Sequence, residues 1–403
     1  MSTANPPVRH LLGPAFIAAI AYVDPGNIAA NVSAGSEFGF LLVWVIVIAN
    51  AMAGLVQYLS AKLGLVTGST LPEAIRDRTR TPTRIGYWLQ AEGVAIATDL
   101  AEVIGGAIAL YILFDLPLLF GGIITGVVSL LLLALGDQHG PRVFERVITG
   151  LLFIIVLGFM ASVVVAPPPI TDVLGGMVPR FQGTQSVLLA TAILGATVMP
   201  HVVYLHSGLA LDRHGWVPPG PDRNILLRAT RWDVGLAMMV AGTVNLALLL
   251  MAAAHLRDRS GTDTIIGAHS AVTDTMGPAV GMLFAIGLLA SGLASASVGA
   301  YAGAMIMEGL LRRSVPMPVR RIVTLIPALA VLAVGFDPTK ALVLSQVALS
   351  FGIPFALIPL IRLTSDRSLM GSSVNRPLTR VLGWSVSVLI VALNAVLIYL
   401  VLR

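Results

Sequence analysis

Asp24-Pro25-Gly26-Asn27 interrupts an apolar run that extends from about residue 11 to 35. Such residues are out of place in the middle of a bilayer-length helix. Pro25 has no amide proton and its ring clashes with the preceding turn, Gly26 loosens the backbone, and a carboxylate at mid-membrane is costly. Backbone groups freed by the break find no partner in lipid, so they must face protein or a water-lined cavity. The stretch therefore predicts a discontinuous transmembrane helix with Asp24 and Asn27 at the gap.

The rest of the chain fits a membrane setting. Of 403 residues, 56% are hydrophobic and 11% charged, against roughly 25% charged in an average soluble domain. That is too few charges to cover a soluble surface and too much apolar area for a disordered or collagen-like chain. With no cysteine, disulfides, zinc fingers, thiolate metal sites and iron–sulfur clusters are excluded. The net charge of +5 does not point to nucleic acid. Its basic residues stand in short segments between apolar runs, without the interleaved aromatics of a nucleic-acid stripe.

Eleven runs of spanning length fall at about 11–35, 39–64, 85–113, 118–135, 146–166, 187–210, 232–255, 278–311, 321–336, 338–362 and 378–401. The chain reads as one all-α, polytopic transmembrane domain over residues 1–403. Eleven spans put the termini on opposite sides. With the N-terminus cytoplasmic, Arg9 and most other basic residues lie inside, and only Arg180, Arg257, Arg259, Lys340 and Arg403 face outward. The C-terminus is then extracytoplasmic and the expected location is the plasma membrane. Arg9, the run Leu11 to Val23 and Ala19-Ile20-Ala21 also imitate a secretory leader, but ten further apolar runs favour a first transmembrane span.

The sixth run is broken in the same way, at Ala196-Thr197-Val198-Met199-Pro200-His201. Either break alone is a proline kink. Together they stand in spans one and six of eleven, and since five is odd, a five-helix unit that starts inside is followed by one that starts outside. Residues 11–166 and 187–362 are thus expected to be inverted repeats, each opening with a broken helix, with an extra helix at 378–401. Secondary transporters that bind substrate between discontinuous helices are built this way. Asp24 offers a hard oxygen, Asn27 an amide oxygen, the unwound turns carbonyls near Ala21 and Ala196, and Met199 a soft thioether. The mixture suits a borderline divalent transition metal better than magnesium or calcium.

Asp24-Pro25-Gly26-Asn27 and Met199-Pro200-His201 resemble the signatures of the Nramp family of proton-coupled divalent metal transporters. The resemblance extends to Ala97-Thr98-Asp99-Leu100-Ala101-Glu102, to the run from Gly195 to Ser207, and to Leu344-Ser345-Gln346 with Phe351-Gly352-Ile353-Pro354-Phe355. It is strongest toward the family's bacterial manganese transport proteins. It implies the inverted-repeat, LeuT-like fold, with Asp24, Asn27, Met199 and the Ala196 carbonyl as metal ligands. By the same resemblance Gln346 and the Ala21 carbonyl are ligands in particular conformations.

Glu92, Asp99 and Glu102 lie within about 80° of arc on one helix face at 3.6 residues per turn. Such an acidic stripe must line protein or water, and it is a credible proton relay. Arg320 and Arg321, at the cytoplasmic start of span nine, are natural partners for its inner end, where the family pattern also puts them. A static ion-pair cluster is an equal reading of Glu92 and Glu102. His201 and His206 are roughly 140° apart around a helix and unsuited to one shared ion. His201 abuts the break and, as the family suggests, relays protons; His206 reads equally well as packing. The small residues from Ala290 to Ala300 permit close helix approach. The outer segment 256–277, with His255, Asp258, Asp263, His269 and Asp274 in or beside it, reads as a solvated polar loop.

The expected function is secondary active import of manganese, and iron with it, by proton symport. No cofactor or enzymatic activity is expected; the partners are the metal ion, protons and the bilayer. Two other readings compete. A cation- or proton-coupled amino-acid or organic-solute symporter of the same fold would have to place a substrate carboxylate beside Asp24, which repels it. An intramembrane aspartyl hydrolase would use Asp24 and Asp99 as a shared-proton pair.

Overall fold

The computed structural model describes residues 13–403 apart from 140, 258 and 260. Arg9 and Asp258 lie outside the described residues. The chain is helical, in the order α1 (Pro14–Ala21), α2 (Pro25–Phe38), α3 (Val43–Thr67), α4 (Leu71–Arg76), α5 (Thr81–Phe114), α6 (Leu118–His139), α7 (Pro141–Val165), α8 (Ile170–Gly175) and α9 (Gly183–Thr197). Then come α10 (Pro200–His214), α11 (Pro221–His255), α12 (Ile265–Met276), α13 (Pro278–Leu311), α14 (Met317–Val334), α15 (Pro338–Thr364), α16 (Arg367–Met370) and α17 (Pro377–Val401). Each of the eleven expected spans appears as a helix or, at α1/α2 and α9/α10, a helix pair. Among the described residues, eight segments are long and apolar enough to cross a membrane by length and composition, two of them being α2 with α3 and α9 with α10 taken together.

Proline sets many of the starts. It occupies one of the first two positions of α2, α5, α10, α11, α13, α15 and α17. There its missing N–H costs nothing and its fixed φ suits the first turn. α3 stops at Gly68, whose φ of 71° is the left-handed conformation that glycine adopts freely.

Two expectations need correction. α11 begins at Pro221, not near 232, so Arg223, Arg228 and Arg231 stand on its first turns and not in a connecting loop. Pro221 and Asp222 form a helix start, whereas hydropathy rises only after Trp232. The outer segment 256–277 is not a plain polar loop, because it carries α12. Thr264 caps that helix, accepting the Gly267 N–H at 3.1 Å, and Ile265, Ala268 and Val272 are buried. Its His269 packs against Phe284, and His255 bonds the Ala166 carbonyl at 3.1 Å.

The acidic helix α5 runs against α13, and the small residues of α13 make the approach possible. A methyl group on Gly292 would stand 3.1 Å from the Glu102 carbonyl oxygen and the Gly106 nitrogen of α5. The two backbones touch there without intervening side chains, and α5 is thereby held beside the first break.

Candidate ion site at two helix breaks

α1 ends at Ala21 and α2 begins at Pro25; α9 ends at Thr197 and α10 begins at Pro200. The two gaps have one cause. In an α-helix the carbonyl of residue i accepts from the N–H of residue i+4. For Ala21 that residue is Pro25, and for Ala196 it is Pro200, so both carbonyls lose their helical donor. The chain takes up the other carbonyls of the first gap with side chains. Asn245 of α11 donates to the Tyr22 carbonyl at 2.7 Å, and the Ser291 hydroxyl of α13 donates to that of Val23.

Asp24 is the N-cap of α2. Its Oδ1 accepts the Asn27 backbone N–H at 2.8 Å and the Asn27 side-chain Nδ2 at 2.9 Å. The same Nδ2 donates to the Ala196 carbonyl at 2.8 Å, which ties the first break directly to the second. Gln346 of α15 approaches from the other side, with Nε2 3.4 Å from Asp24 Oδ2. Asp24, Asn27, Ala196 and Gln346 are thus joined in one buried cluster. Met199, the N-cap of α10, is fully buried three residues beyond Ala196.

Two oxygens in this cluster, Asn27 Oδ1 and Gln346 Oε1, are buried with no hydrogen-bond partner. An orphaned buried acceptor is costly, and two of them beside a buried carboxylate form a donor set for a cation. Glycines make the room. A side chain on Gly26 would collide with the Gln346 amide, and one on Gly195 with the Gln346 carbonyl. Gly26→Ala is therefore expected to push Gln346 away from Asp24 and weaken binding of a divalent cation about tenfold. Calorimetric titration of the purified variant checks this, and an unchanged Kd would remove Gln346 from the site.

Of the remaining expected residues, α5 carries the acidic stripe. Arg321 of α14 donates Nη1 to Asp99 Oδ1 at 2.6 Å and bonds Ser129 Oγ through Nε and Nη2. Arg320 pairs with Glu92 at 3.0 Å. The two arginines thus reach different acids, Arg320 the Glu92 end of the stripe and Arg321 its middle at Asp99. Glu102 is buried against Gly299, and its Oε2 has no partner. Thr98 Oγ1 lies 3.3 Å from His201 Nδ1, and Gln57 Oε1 lies 2.8 Å from His206 Nδ1. The histidines therefore serve different networks. Gln57 also bonds the Tyr22 hydroxyl, so His206 is linked through one side chain to the α1 break. Among the described residues no three His, Cys, Asp or Glu side chains converge on a metal-sized site, so any metal here must use amide, carbonyl or thioether ligands.

A family model described as natural resistance-associated macrophage protein-like, or Nramp, matches residues 15–400. The chain belongs to the Nramp family. This Nramp chain is 67% identical over 391 residues to the divalent metal cation transporter MntH of Mycobacterium tuberculosis, covering 97% of this chain and 91% of that protein. A crystal structure of a manganese transporter from Eremococcus coleocola superposes with a TM-score of 0.84 at 31% identity, covering 96% of this chain and 86% of that one. The structure of MhsT in complex with L-phenylalanine, at 14% identity and a TM-score of 0.62, shares the fold. The Nramp match includes both breaks, the acidic helix α5 and α15.

Asn245, Ser291 and Gln57 were not singled out from sequence. A lone Asn in an apolar span was the available signal for Asn245, since an amide in lipid must find a partner. Ser291 lies in a small-residue run that packing alone explains, and Gln57 gains its meaning only from its neighbours in space.

Proposed function

We propose that the two breaks form the binding site for a divalent transition metal ion, manganese and with it iron, and that this chain imports the ion by proton symport. The observation that carries this reading is the fully buried Asp24, flanked by the unpartnered oxygens of Asn27 and Gln346. Asp24 supplies charge, Asn27 and the Ala196 carbonyl supply neutral oxygens, and Met199 supplies the thioether that disfavours magnesium and calcium. Gln346 joins in some conformations and the Ala21 carbonyl in others. The relatives named for divalent metal and manganese transport support this choice of substrate. The metal is cargo, and the chain is a transporter, not an enzyme.

Protons pass from Asp24 and His201 to Asp99 and along Glu102 and Glu92, with Arg320 and Arg321 as the counter-charges. A divalent ion beside Asp24 favours its ionised form, which couples metal entry to proton release. Residues 11–166 and 187–362 act as inverted repeats, a reading supported by the matching Ala21/Pro25 and Ala196/Pro200 breaks. With the N-terminus cytoplasmic and the C-terminus outside, a negative interior adds about 2.3 kcal/mol per charge per 100 mV to inward movement across the plasma membrane. The organic-solute reading would put a substrate carboxylate next to Asp24. In the hydrolase reading Asp24 and Asp99 share a proton, yet Asp24 bonds Asn27 and Gln346 while Asp99 bonds Arg321.

The test is Mn²⁺ uptake into proteoliposomes that contain an internal pH dye. Uptake above protein-free vesicles, with acidification of the lumen, is expected. Met199→Ala is expected to retain Mn²⁺ uptake but to let Ca²⁺ or Mg²⁺ compete about tenfold better. If that variant discriminates as well as the parent, the thioether does not set selectivity.

A further inference from the structure

α15 contains two internal prolines, Pro354 and Pro359. Each removes the donor for the carbonyl four residues earlier, so the Ser350 and Phe355 carbonyls lose their helical partners. Both are met by side chains from other helices. Asn394 of α17 donates Nδ2 to the Ser350 carbonyl at 3.0 Å, and its Oδ1 lies 2.7 Å from the Ser350 hydroxyl. Tyr204 of α10 donates its hydroxyl to the Phe355 carbonyl at 3.2 Å. All three side chains are buried, and Asn394 is the one polar residue in the apolar stretch of α17 from Val388 to Ile398. The arrangement repeats the device at the second break, where Asn27 donates to the carbonyl that Pro200 leaves open.

The positions are informative. Ser350 is one turn beyond Gln346, and this same turn of α15 lies against Gly195, where a side chain would strike the Gln346 carbonyl and the Ser350 nitrogen. Pro200 in turn rests on Gly352 of α15, with its Cγ 3.0 Å from where a methyl group would stand. The turn that presents Gln346 is therefore wedged between α9 on one side and the Asn394 bond on the other, and the next turn is held by α10, the helix that Met199 caps. A proline-weakened helix is free to tilt unless its open carbonyls are held.

We propose that Asn394 and Tyr204 are positioning residues for the ion site: they replace the two hydrogen bonds that Pro354 and Pro359 remove from α15, and so hold Gln346 against Asp24. The effect on the ion rests on the reading of the breaks as an ion site; the replacement of the missing bonds does not. Losing either donor leaves a carbonyl unsatisfied, buried at Ser350 and part-buried at Phe355, and α15 relaxes by tilting, carrying Gln346 away from Asp24.

The test restores the missing bond in a different way. Pro354→Ala returns an N–H to residue 354 that can donate to the Ser350 carbonyl, and Pro359→Ala does the same for Phe355. Purified full-length variants are compared by thermal unfolding in detergent and by calorimetric titration with Mn²⁺. Asn394→Ala is expected to lower the Tm and raise the Mn²⁺ Kd about tenfold, and Asn394→Ala with Pro354→Ala to recover most of both. Tyr204→Phe, with and without Pro359→Ala, should behave in parallel. If either proline substitution fails to recover the Tm lost in its partner variant, the replacement of the missing bonds is wrong. If Asn394→Ala binds Mn²⁺ like the parent, or if only the Tm is recovered, the positioning of Gln346 is wrong. A parent protein that does not bind Mn²⁺ would overturn the ion-site reading and the positioning of Gln346 with it, while the Tm comparison would still decide the replacement of the missing bonds.

Discussion

Asp24→Asn is expected to abolish Mn²⁺ uptake while leaving the protein folded. Asp24 has two separable roles at the first break. As N-cap of α2 it accepts the Asn27 N–H at 2.8 Å, and as a fully buried carboxylate it supplies the negative charge of the cluster. Asparagine caps a helix about as well as aspartate does, and even alanine costs only about 1 kcal/mol at such a position. The charge is the larger quantity. Two unit charges 4 Å apart interact by about 4 kcal/mol at an effective dielectric near 20, and a divalent ion bound more closely gains more. Losing that attraction alone weakens binding roughly thousandfold. The variant should therefore unfold within a few degrees of the parent, show no measurable calorimetric binding at micromolar Mn²⁺, and carry no uptake above protein-free liposomes. Parent-like binding by Asp24→Asn would mean that the metal is held elsewhere.

The breaks were legible in sequence because their cost is local. Proline, glycine and a carboxylate inside an apolar run violate helix chemistry and lipid solvation at once, wherever the rest of the chain goes. The eleven spans were legible for a similar reason, since the length of an apolar run answers directly to bilayer thickness. α11 shows the limit of that signal. Hydropathy rises at Trp232, but the helix starts at Pro221, because helix-start chemistry and hydrophobic thickness are different constraints. α12 was missed because its apolar face, with Ile265, Ala268 and Val272, is too short to stand out beside spans of bilayer length.

Within the candidate site, the residues that meet at the breaks were readable, but the residues that hold them in place were not. Nothing near Asn245 in sequence says that it closes the Tyr22 carbonyl, and nothing near Asn394 says that it closes the Ser350 carbonyl. The prolines mark which carbonyls are open; only the fold reveals which side chain fills each one. For every proline inside a span, the carbonyl four residues earlier needs a named partner, and a carbonyl at a break with none is a candidate ligand. The Ala21 carbonyl loses its Pro25 donor, and the Ala196 carbonyl is shared with Asn27, which itself keeps an unpartnered oxygen.

The second large effect is expected at the Asp99–Arg321 pair. Arg321 is 1% exposed and Asp99 4%, at a separation of 2.6 Å, and Arg321 has Ser129 as a further acceptor. Removing one member of a buried pair leaves the other charge uncompensated, which costs about 3–5 kcal/mol, whereas replacing both with apolar residues of similar volume is often close to neutral. Arg321→Met should thus be severely destabilised in chemical denaturation. Arg321→Met combined with Asp99→Leu should recover most of the loss, yet acidify the lumen of proteoliposomes no faster than protein-free vesicles. Asp99→Asn separates structure from transport more gently, because the amide oxygen still accepts from Arg321 while the titratable proton is gone. On the proposed reading, in which Asp99 carries the proton and does not ligate the ion, the variant's proton flux should fall by about tenfold or more, with the Mn²⁺ Kd within about threefold of the parent. Equal losses of proton flux and Mn²⁺ affinity in Asp99→Asn would assign Asp99 to the ion site itself, and full stability of Arg321→Met would show that water already reaches the pair and screens it.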